Sequence, residues 1–193
     1  MSTRENFYND LAKGEEREIL FMNWCNGKGK EFIDVRDSEE WRKKDVDFLM
    51  TSIKNNKPIP IDVKMCSLKD GAIAIETKSG KAGINEGWWN YSASRWFVFT
   101  GKCNTRANAD TYMIITLHRN WIQKWLEKYQ PRTQWIGDGK GAYVKLNGNN
   151  KYQKDRETII EFIKNEGLTN SKFYFYVDKD GKEVEPKANE LFY

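Results

Sequence analysis

An alternation of apolar and charged residues at positions 59–65 is the feature that most constrains how this chain folds. The apolar positions of the run are Ile59, Ile61, Val63 and Met65. Asp62 and Lys64 lie between them, two residues apart. Because successive side chains of a β-strand point to opposite faces, this pattern predicts a strand with one apolar face. Asp62 and Lys64 are then expected side by side on the other face.

A second carboxylate is expected beside Asp62. Residues 46–52 are typical of a strand and include Asp47. A hairpin turn through residues 54–58 would place Asp47 alongside Asp62. Carboxylates bind hard divalent cations, and a neighbouring lysine can support a nucleophilic water or a phosphate oxygen. These residue types favour phosphodiester hydrolysis, although an aspartate and a lysine two apart on a strand are also typical of a solvated face.

A third acidic residue follows on the next predicted strand. Residues 72–78 alternate so that Glu76 is expected on the face opposite Ile73 and Ile75. Acidic residues on three successive strands favour a functional site over a solvated face.

The first predicted helix carries a carboxylate on an otherwise apolar face. This helix is predicted to run from about residue 2 to about residue 24. The other positions on the face are Phe7, Leu11, Gly14, Met22 and Cys25. Since a buried carboxylate needs a partner, Glu18 is expected to face a metal or a lysine. The alternative is that Glu18 lies at the edge of the face in solvent.

The remaining pattern alternates helices and strands without repeats. The other predicted strands are residues 31–35, 96–100, 111–117, 142–146 and 172–177, and the other predicted helices are residues 119–129 and 155–166. This order predicts a mixed α/β fold with an antiparallel meander near the N-terminus. A length of 193 residues suits a single domain spanning residues 1–193. His118, the only histidine, is expected at a helix entry or in packing.

The strand motifs resemble those of the PD-(D/E)XK nuclease superfamily, of phage and bacterial type. Asp47 matches its first acidic position, and Asp62 with Lys64 matches its (D/E)xK element. The resemblance implies a restriction-endonuclease-like fold, in which a central mixed sheet is flanked by helices. It also implies a nuclease that uses Mg²⁺ or Mn²⁺. The motif-bearing core covers about residues 1–130, and the resemblance assigns no role to residues 131–193.

The same resemblance suggests two glutamates for the site. Glu18 is similar to the glutamate of the helix that precedes the sheet, with Glu15 as the next candidate. Glu76 resembles a third-strand glutamate and would join Asp47 and Asp62 as a metal ligand. An aspartate that relatives carry before the next strand is absent here, since residues 93–96 read Ala-Ser-Arg-Trp.

Basic, glycine and aromatic residues downstream of the third strand suggest contacts with nucleic acid. DNA is the first candidate and RNA the second. The candidate contact residues are Lys78, Lys81, Trp88, Trp89 and Arg95. Lysines can neutralise phosphates, and exposed rings can stack on unpaired bases. The alternative for the tryptophans is that they are core residues. The net charge of +4 permits a nucleic-acid partner but does not select one.

Three competing functions follow from these patterns. The first is a Mg²⁺-dependent endo- or exonuclease. The second is a catalytically inactive protein of the same fold that binds nucleic acid or protein, for example a phage inhibitor of host defence. The third is an interaction protein whose acidic face is solvated. A cytosolic location, in a bacterium or a phage-infected host, is expected because the three cysteines are few and widely spaced and no apolar leader or membrane-spanning run is seen. A homodimer is one option for the oligomeric state.

Overall fold

The fold is mixed α/β, as the sequence predicts. A computed structural model describes residues 3–52, 55–65, 73–80, 84–103, 110–135, 141–146 and 157–185, with the backbone alone for residues 3–10 and 135. The helices are α1 Thr3–Gly27, α2 Glu39–Lys43, α3 Trp88–Tyr91, α4 Arg119–Tyr129 and α5 Ile159–Asn165. The strands are β1 Phe32–Asp34, β2 Phe48–Thr51, β3 Pro58–Met65, β4 Ala74–Ser79, β5 Asn85–Glu86, β6 Trp96–Lys102, β7 Tyr112–His118, β8 Gln134–Trp135, β9 Gly141–Lys145 and β10 Tyr174–Val177.

The strands form a larger and a smaller sheet. The larger sheet has six strands in the order β1-β2-β3-β6-β7-β10, and the smaller sheet has four in the order β5-β4-β9-β8. Every pair of neighbours is antiparallel except β3 and β6, which are parallel. Parallel neighbours need a long crossover between them. Here the crossover from β3 to β6 carries β4, β5 and α3.

The predicted meander is confirmed for β1, β2 and β3 and is wrong for β4. To continue the meander, β4 would have to pair with the free edge of β3, but β6 occupies that edge in the larger sheet. β4 instead pairs with β9, where Ile75 lies opposite Val144. Ile73 and Ile75 are fully buried in the core, so the predicted alternation around Glu76 is present although the sheet is a different one. The difference arises because strand pairing depends on contacts distant in sequence, which local alternation does not encode.

Two apolar clusters cover the two faces of the larger sheet. The smaller cluster packs the C-terminal half of α1 against the sheet, with Phe21 and Trp24 from the helix and Phe48 from β2. The larger cluster lies on the opposite face and includes residues of α3, α4, α5 and the smaller sheet. The larger sheet is therefore the middle layer of three, and side chains on either of its faces can be buried.

The apolar face predicted for α1 is only partly confirmed. Cys25 is fully buried, whereas Leu11 is 61% exposed. Leu20 and Phe21 supply the buried contacts instead, because only the last turns of this 25-residue helix lie over the sheet. In the part of the chain that the structure describes, no helix is long and apolar enough to cross a membrane. The helix-entry role predicted for His118 is confirmed, since its side chain caps α4 by accepting a hydrogen bond from the backbone N–H of Asn120 at 3.1 Å.

Candidate active site

The central strand β3 presents Asp62 and Lys64 as the alternation predicts. Ile61 and Val63 are buried in the cluster under α1. Asp62 and Lys64 point to the other face, which is covered by α3 and the smaller sheet. The Asp62 side chain is 1% exposed and the Lys64 side chain is 21% exposed. The pair is therefore an interior feature of the fold and not a solvated strand face.

The structure brings Asp47 to Asp62, as the hairpin prediction requires. Asp47 immediately precedes β2, and its backbone N–H donates to the carbonyl of Ile61 at 2.9 Å. The carboxylate of Asp47 accepts a hydrogen bond from the backbone N–H of Val63 at 2.7 Å. The two carboxyl groups are close enough that each shifts the pKa of the other. These contacts place the two carboxyl groups next to each other at the centre of the larger sheet.

Lys64 is held between two carboxylates. Its Nζ lies 2.8 Å from Oδ2 of Asp62 and donates to Oδ2 of Asp45 at 2.9 Å. The ammonium group also lies 5.0 Å from the centroid of the Trp88 ring, a cation–π contact. Burial works against the charge of this lysine, but Asp62 and Asp45 outweigh it and raise the pKa of Lys64 above its usual value. Lys64 is a fixed positive charge at neutral pH.

Asp45 is a site residue that the sequence analysis missed. Its backbone has a φ of 53°, in the left-handed region that residues other than glycine and asparagine adopt less often. Its carbonyl accepts hydrogen bonds from the hydroxyl groups of Ser92 and Ser94, each at 3.1 Å. The spacing of Asp45 and Asp47, two apart like Asp62 and Lys64, was the signal in the sequence that could have found it.

The carboxylates at this site retain protons more readily than exposed ones. Burial raises the pKa of Asp62 well above its usual value; Lys64 opposes the shift, while Asp45 and Asp47 add to it. Burial also raises the pKa of Asp47, against a lowering contribution from the N–H of Val63 and from Lys64. Several negative groups thus compete for one lysine, and an added cation would relieve their repulsion.

Glu76 reaches the same site from the second layer. It lies on β4 of the smaller sheet, and the backbone N–H of Trp88 is close enough to lower the pKa of its carboxyl group. Burial raises the pKa of Glu76. Lys64 and the backbone N–H of Trp88 lower this pKa, whereas the charge of Asp45 raises it. Lys64 and Asp45 both shift the pKa of Glu76, so its carboxyl group lies near these charges although its strand lies outside the larger sheet.

Glu18 lies beside the site but has its own partner. Its Oε2 accepts a hydrogen bond from the guanidinium of Arg36 at 2.6 Å, and Arg36 also pairs with Asp34 at 2.6 Å. Burial raises the pKa of Glu18, the bond to Arg36 lowers it, and the charge of Asp47 raises it. The partner that the structure shows for Glu18 is therefore an arginine. Glu15, the other candidate on this helix, is exposed.

The residues suggested for nucleic-acid contact divide into buried and exposed groups. Trp88 and Trp89 are core residues, 9% and 8% exposed, so their rings are not free to stack on bases. They are buried because α3 packs its indoles against Phe97 of β6, at ring distances of 5.1 and 5.7 Å. Lys78 and Arg95 are exposed. Lys81 lies outside the described residues.

Arg119 is a second residue that the sequence analysis missed. Its guanidinium donates to the carbonyls of Trp89, Ser92 and Ser94 at 3.1, 2.6 and 3.0 Å. Burial lowers its pKa, and the charges of Asp62 and Asp45 oppose that shift. Arg119 therefore fixes the segment between α3 and β6, whose serines hold Asp45. Nothing in the local sequence links Arg119 to residues 89–94.

Tyr91 is the aromatic residue that borders the site and remains accessible. The residue is 50% exposed and ends the short helix α3. Burial raises the pKa of its hydroxyl, and Asp45 raises it further while Lys64 lowers it. The hydroxyl is therefore close enough to feel the charges of the cluster, while half of the residue faces solvent.

The donor set suits a hard divalent cation bound by two carboxylates. Within the described ranges, no group of three or more histidine, cysteine or acidic side chains is arranged to hold a metal ion. Mg²⁺ commonly needs only one or two protein carboxylates, with water as the remaining ligands. Oδ2 of Asp62 is buried, and its close partner among the described side chains is the ammonium group of Lys64 at 2.8 Å. Asp62 and Asp47 thus fit such an ion in chemistry and in position.

No family model matches the chain, and comparisons with curated proteins and with solved structures returned no match. The resemblance to the PD-(D/E)XK superfamily therefore depends on the sequence motifs. The grouping of Asp47, Asp62 and Lys64 is consistent with it.

Proposed function

We propose that this protein is a metal-dependent nuclease that hydrolyses phosphodiester bonds of nucleic acid, with DNA as the first candidate. The observation that carries the proposal is a buried Asp62 whose Oδ2 is paired with a charged Lys64 and whose neighbour is the carboxylate of Asp47. A solvated strand face would not bury a carboxylate in this way. In this proposal the six-stranded sheet corresponds to the central mixed sheet of a restriction-endonuclease-like fold.

Asp47 and Asp62 would hold Mg²⁺ or Mn²⁺. Such an ion, when bound, polarises the scissile phosphate and lowers the pKa of a bound water. Asp47 is oriented by the N–H of Val63, and Oδ2 of Asp62 would be offered to the ion in place of its contact with Lys64. The raised pKa values of both carboxyl groups are the expected signature of a site that binds a cation at the cost of a proton.

Lys64 would orient the attacking water or offset the charge that develops on the phosphate. Its ammonium group is already fixed by Asp62 and Asp45, so little reorganisation is required when the charge appears. Glu76 is better suited than Glu18 to take a proton from the water. The carboxylate of Glu76 has a raised pKa and no ion pair at contact distance among the described side chains, whereas Glu18 is neutralised by Arg36.

Contacts with the nucleic acid would come from exposed groups around the site. Lys78 and Arg95 are exposed and can neutralise phosphates. The half-exposed Tyr91 would stack on unpaired bases, which the buried rings of Trp88 and Trp89 cannot do.

A binding module without catalytic activity is the second candidate. The observation that favours it is the double pairing of Lys64, because an ammonium shared by Asp62 and Asp45 has less charge to offer a phosphate. Such a protein would bind nucleic acid or a protein partner without divalent metal. It would also bind equally well after replacement of Lys64.

Cleavage assays separate these two functions. The purified protein is incubated with supercoiled plasmid, linear duplex, single-stranded DNA and structured RNA, each with Mg²⁺, Mn²⁺ or EDTA. We expect metal-dependent cleavage that is lost in Asp62→Asn and in Lys64→Ala. Lys43→Ala is the matched control, because Lys43 forms an exposed ion pair with Glu39 at 2.7 Å. Full activity in either site variant, or no cleavage of any substrate with metal supplied, contradicts the nuclease and favours the binding module.

A further inference from the structure

We propose that Asp45 is a positioning residue that keeps the ammonium group of Lys64 at the site when a divalent cation occupies Asp62. The inference rests on the metal site in the proposed function and names a residue that no sequence motif assigns. Its basis is that one ammonium group contacts two carboxylates that are held by different parts of the chain.

Lys64 and an incoming cation would use the same atom. Nζ of Lys64 lies 2.8 Å from the buried Oδ2 of Asp62, the oxygen that an ion bound to Asp62 would also use. A cation that binds this oxygen removes the main counter-charge of Lys64 and repels the ammonium group. Without another acceptor, the flexible lysine side chain would leave the site as the metal enters.

Asp45 is the acceptor that remains. Its Oδ2 accepts a hydrogen bond from Lys64 at 2.9 Å, and this contact does not involve Asp62. The other groups around the ammonium hold it less directly. Among the described residues, the ion pairs of Lys64 at contact distance are with Asp62 and Asp45 and not with Glu76, and the Trp88 ring lies 5.0 Å from the ammonium group. Asp45 is therefore the one carboxylate among the described residues that contacts Lys64 and is not a proposed metal ligand.

The backbone of Asp45 is fixed independently of the metal ligands. Its carbonyl is held by the hydroxyl groups of Ser92 and Ser94, which are both buried. Arg119 in turn holds the carbonyls of these two serines. A left-handed φ at a residue that is not glycine persists only where its surroundings enforce it. The position of the Asp45 carboxylate is thus set by the segment before β6 and does not depend on whether Asp62 is paired with lysine or with a metal.

The test follows the ammonium group of Lys64 directly. Ammonium groups held in ion pairs exchange slowly enough to give a heteronuclear NMR signal at low temperature, and Lys64→Met assigns that signal by its loss. Spectra are recorded with and without saturating Mg²⁺ for the wild type, for Asp45→Asn and for Asp45→Gly. Both replacements tolerate a left-handed φ, and the amide spectrum of each variant checks that it is folded. Glu40→Gln is the control, because Glu40 forms an exposed ion pair with Lys44 on the neighbouring helix at 2.6 Å.

We expect the wild type and Glu40→Gln to keep the Lys64 signal with and without Mg²⁺. The Asp45 variants should show the signal without metal, where Asp62 still holds the lysine, and lose it when Mg²⁺ is added. Retention of the signal in the Mg²⁺-loaded variants overturns the inference, as does its loss in the Mg²⁺-loaded wild type. A spectrum unaffected by Mg²⁺ in every protein also overturns it, because no cation then competes for Asp62. Absence of nucleic-acid cleavage would count against the nuclease and leave this result unchanged.

Discussion

Replacement of Lys64 by methionine tests whether the charges at the site are as buried as the structure shows. Methionine keeps most of the side-chain volume and removes the ammonium group. Asp62, which is 1% exposed, then has no counter-charge at contact distance among the described side chains. Removal of one partner from a buried ion pair costs about 3 to 5 kcal/mol in the free energy of unfolding. Since the Lys64 side chain is 21% exposed and the pair is partly hydrated, we expect about 3 kcal/mol near pH 8.

The stability lost in Lys64→Met should increase as the pH rises. The pKa of Asp62 is raised in the folded protein, and Lys64 is the contribution that lowers it, so the replacement raises it further. A carboxyl group with a raised folded pKa favours the folded state fully below its unfolded pKa of about 3.9. That contribution is lost as the pH rises through the folded pKa. The deficit of the variant should therefore be smallest near pH 5 and should grow towards pH 8.

Urea unfolding followed by tryptophan fluorescence measures this effect, since the chain has eight tryptophans. Lys43→Met is the control and should cost no more than about 0.5 kcal/mol, because its ion pair with Glu39 is exposed. The double variant Lys64→Met, Asp62→Asn should recover part of the loss, because it removes the unpaired charge. A loss below about 1 kcal/mol, or a loss equal at pH 5 and pH 8, would refute the buried ion pair.

Two further predictions concern the core and the surface. Leu20→Ala should lower the free energy of unfolding by about 3 kcal/mol, because Leu20 of α1 is buried against the larger sheet. Leu11→Ala on the same helix, where the leucine is 61% exposed, should change it by less than about 0.5 kcal/mol in urea titrations; equal losses would contradict the packing of α1. For the surface, Lys78→Ala and Arg95→Ala should each weaken nucleic-acid binding and reduce the slope of log affinity against log salt by about 1. Fluorescence anisotropy at several salt concentrations measures this slope, and an unchanged slope would exclude a phosphate contact by that residue.

Local patterns predicted that Asp47, Asp62 and Lys64 lie together. The alternation in β3 placed Asp62 and Lys64 on one face, because a strand repeats every two residues whatever surrounds it. A short hairpin was sufficient to place Asp47, since the two strands it joins are neighbours in the chain. These contacts depend on geometry that a short stretch of sequence contains.

Contacts between distant segments could not be predicted in the same way. The sheet to which β4 belongs depends on its pairing with β9, about seventy positions later in the chain. Arg119 reaches the carbonyls of residues 89–94 only because β6 and β7 lie between them. The burial of Trp88 and Trp89 likewise depends on their packing against β6. The local sequence therefore could not decide between a core role and a surface role for them.

The crossover between β3 and β6 has a consequence for the order in which the chain folds. Pairing of these parallel strands must wait until the intervening segment has closed a loop, and non-local pairings of this kind are slow to form. Asp62 and Lys64 lie on the strand before the crossover, whereas Glu76, Ser92 and Ser94 lie within it. Before the crossover docks, Asp62 is an ordinary hydrated aspartate. The raised pKa of Asp62, and with it the cation affinity proposed for this site, would therefore be acquired late in folding.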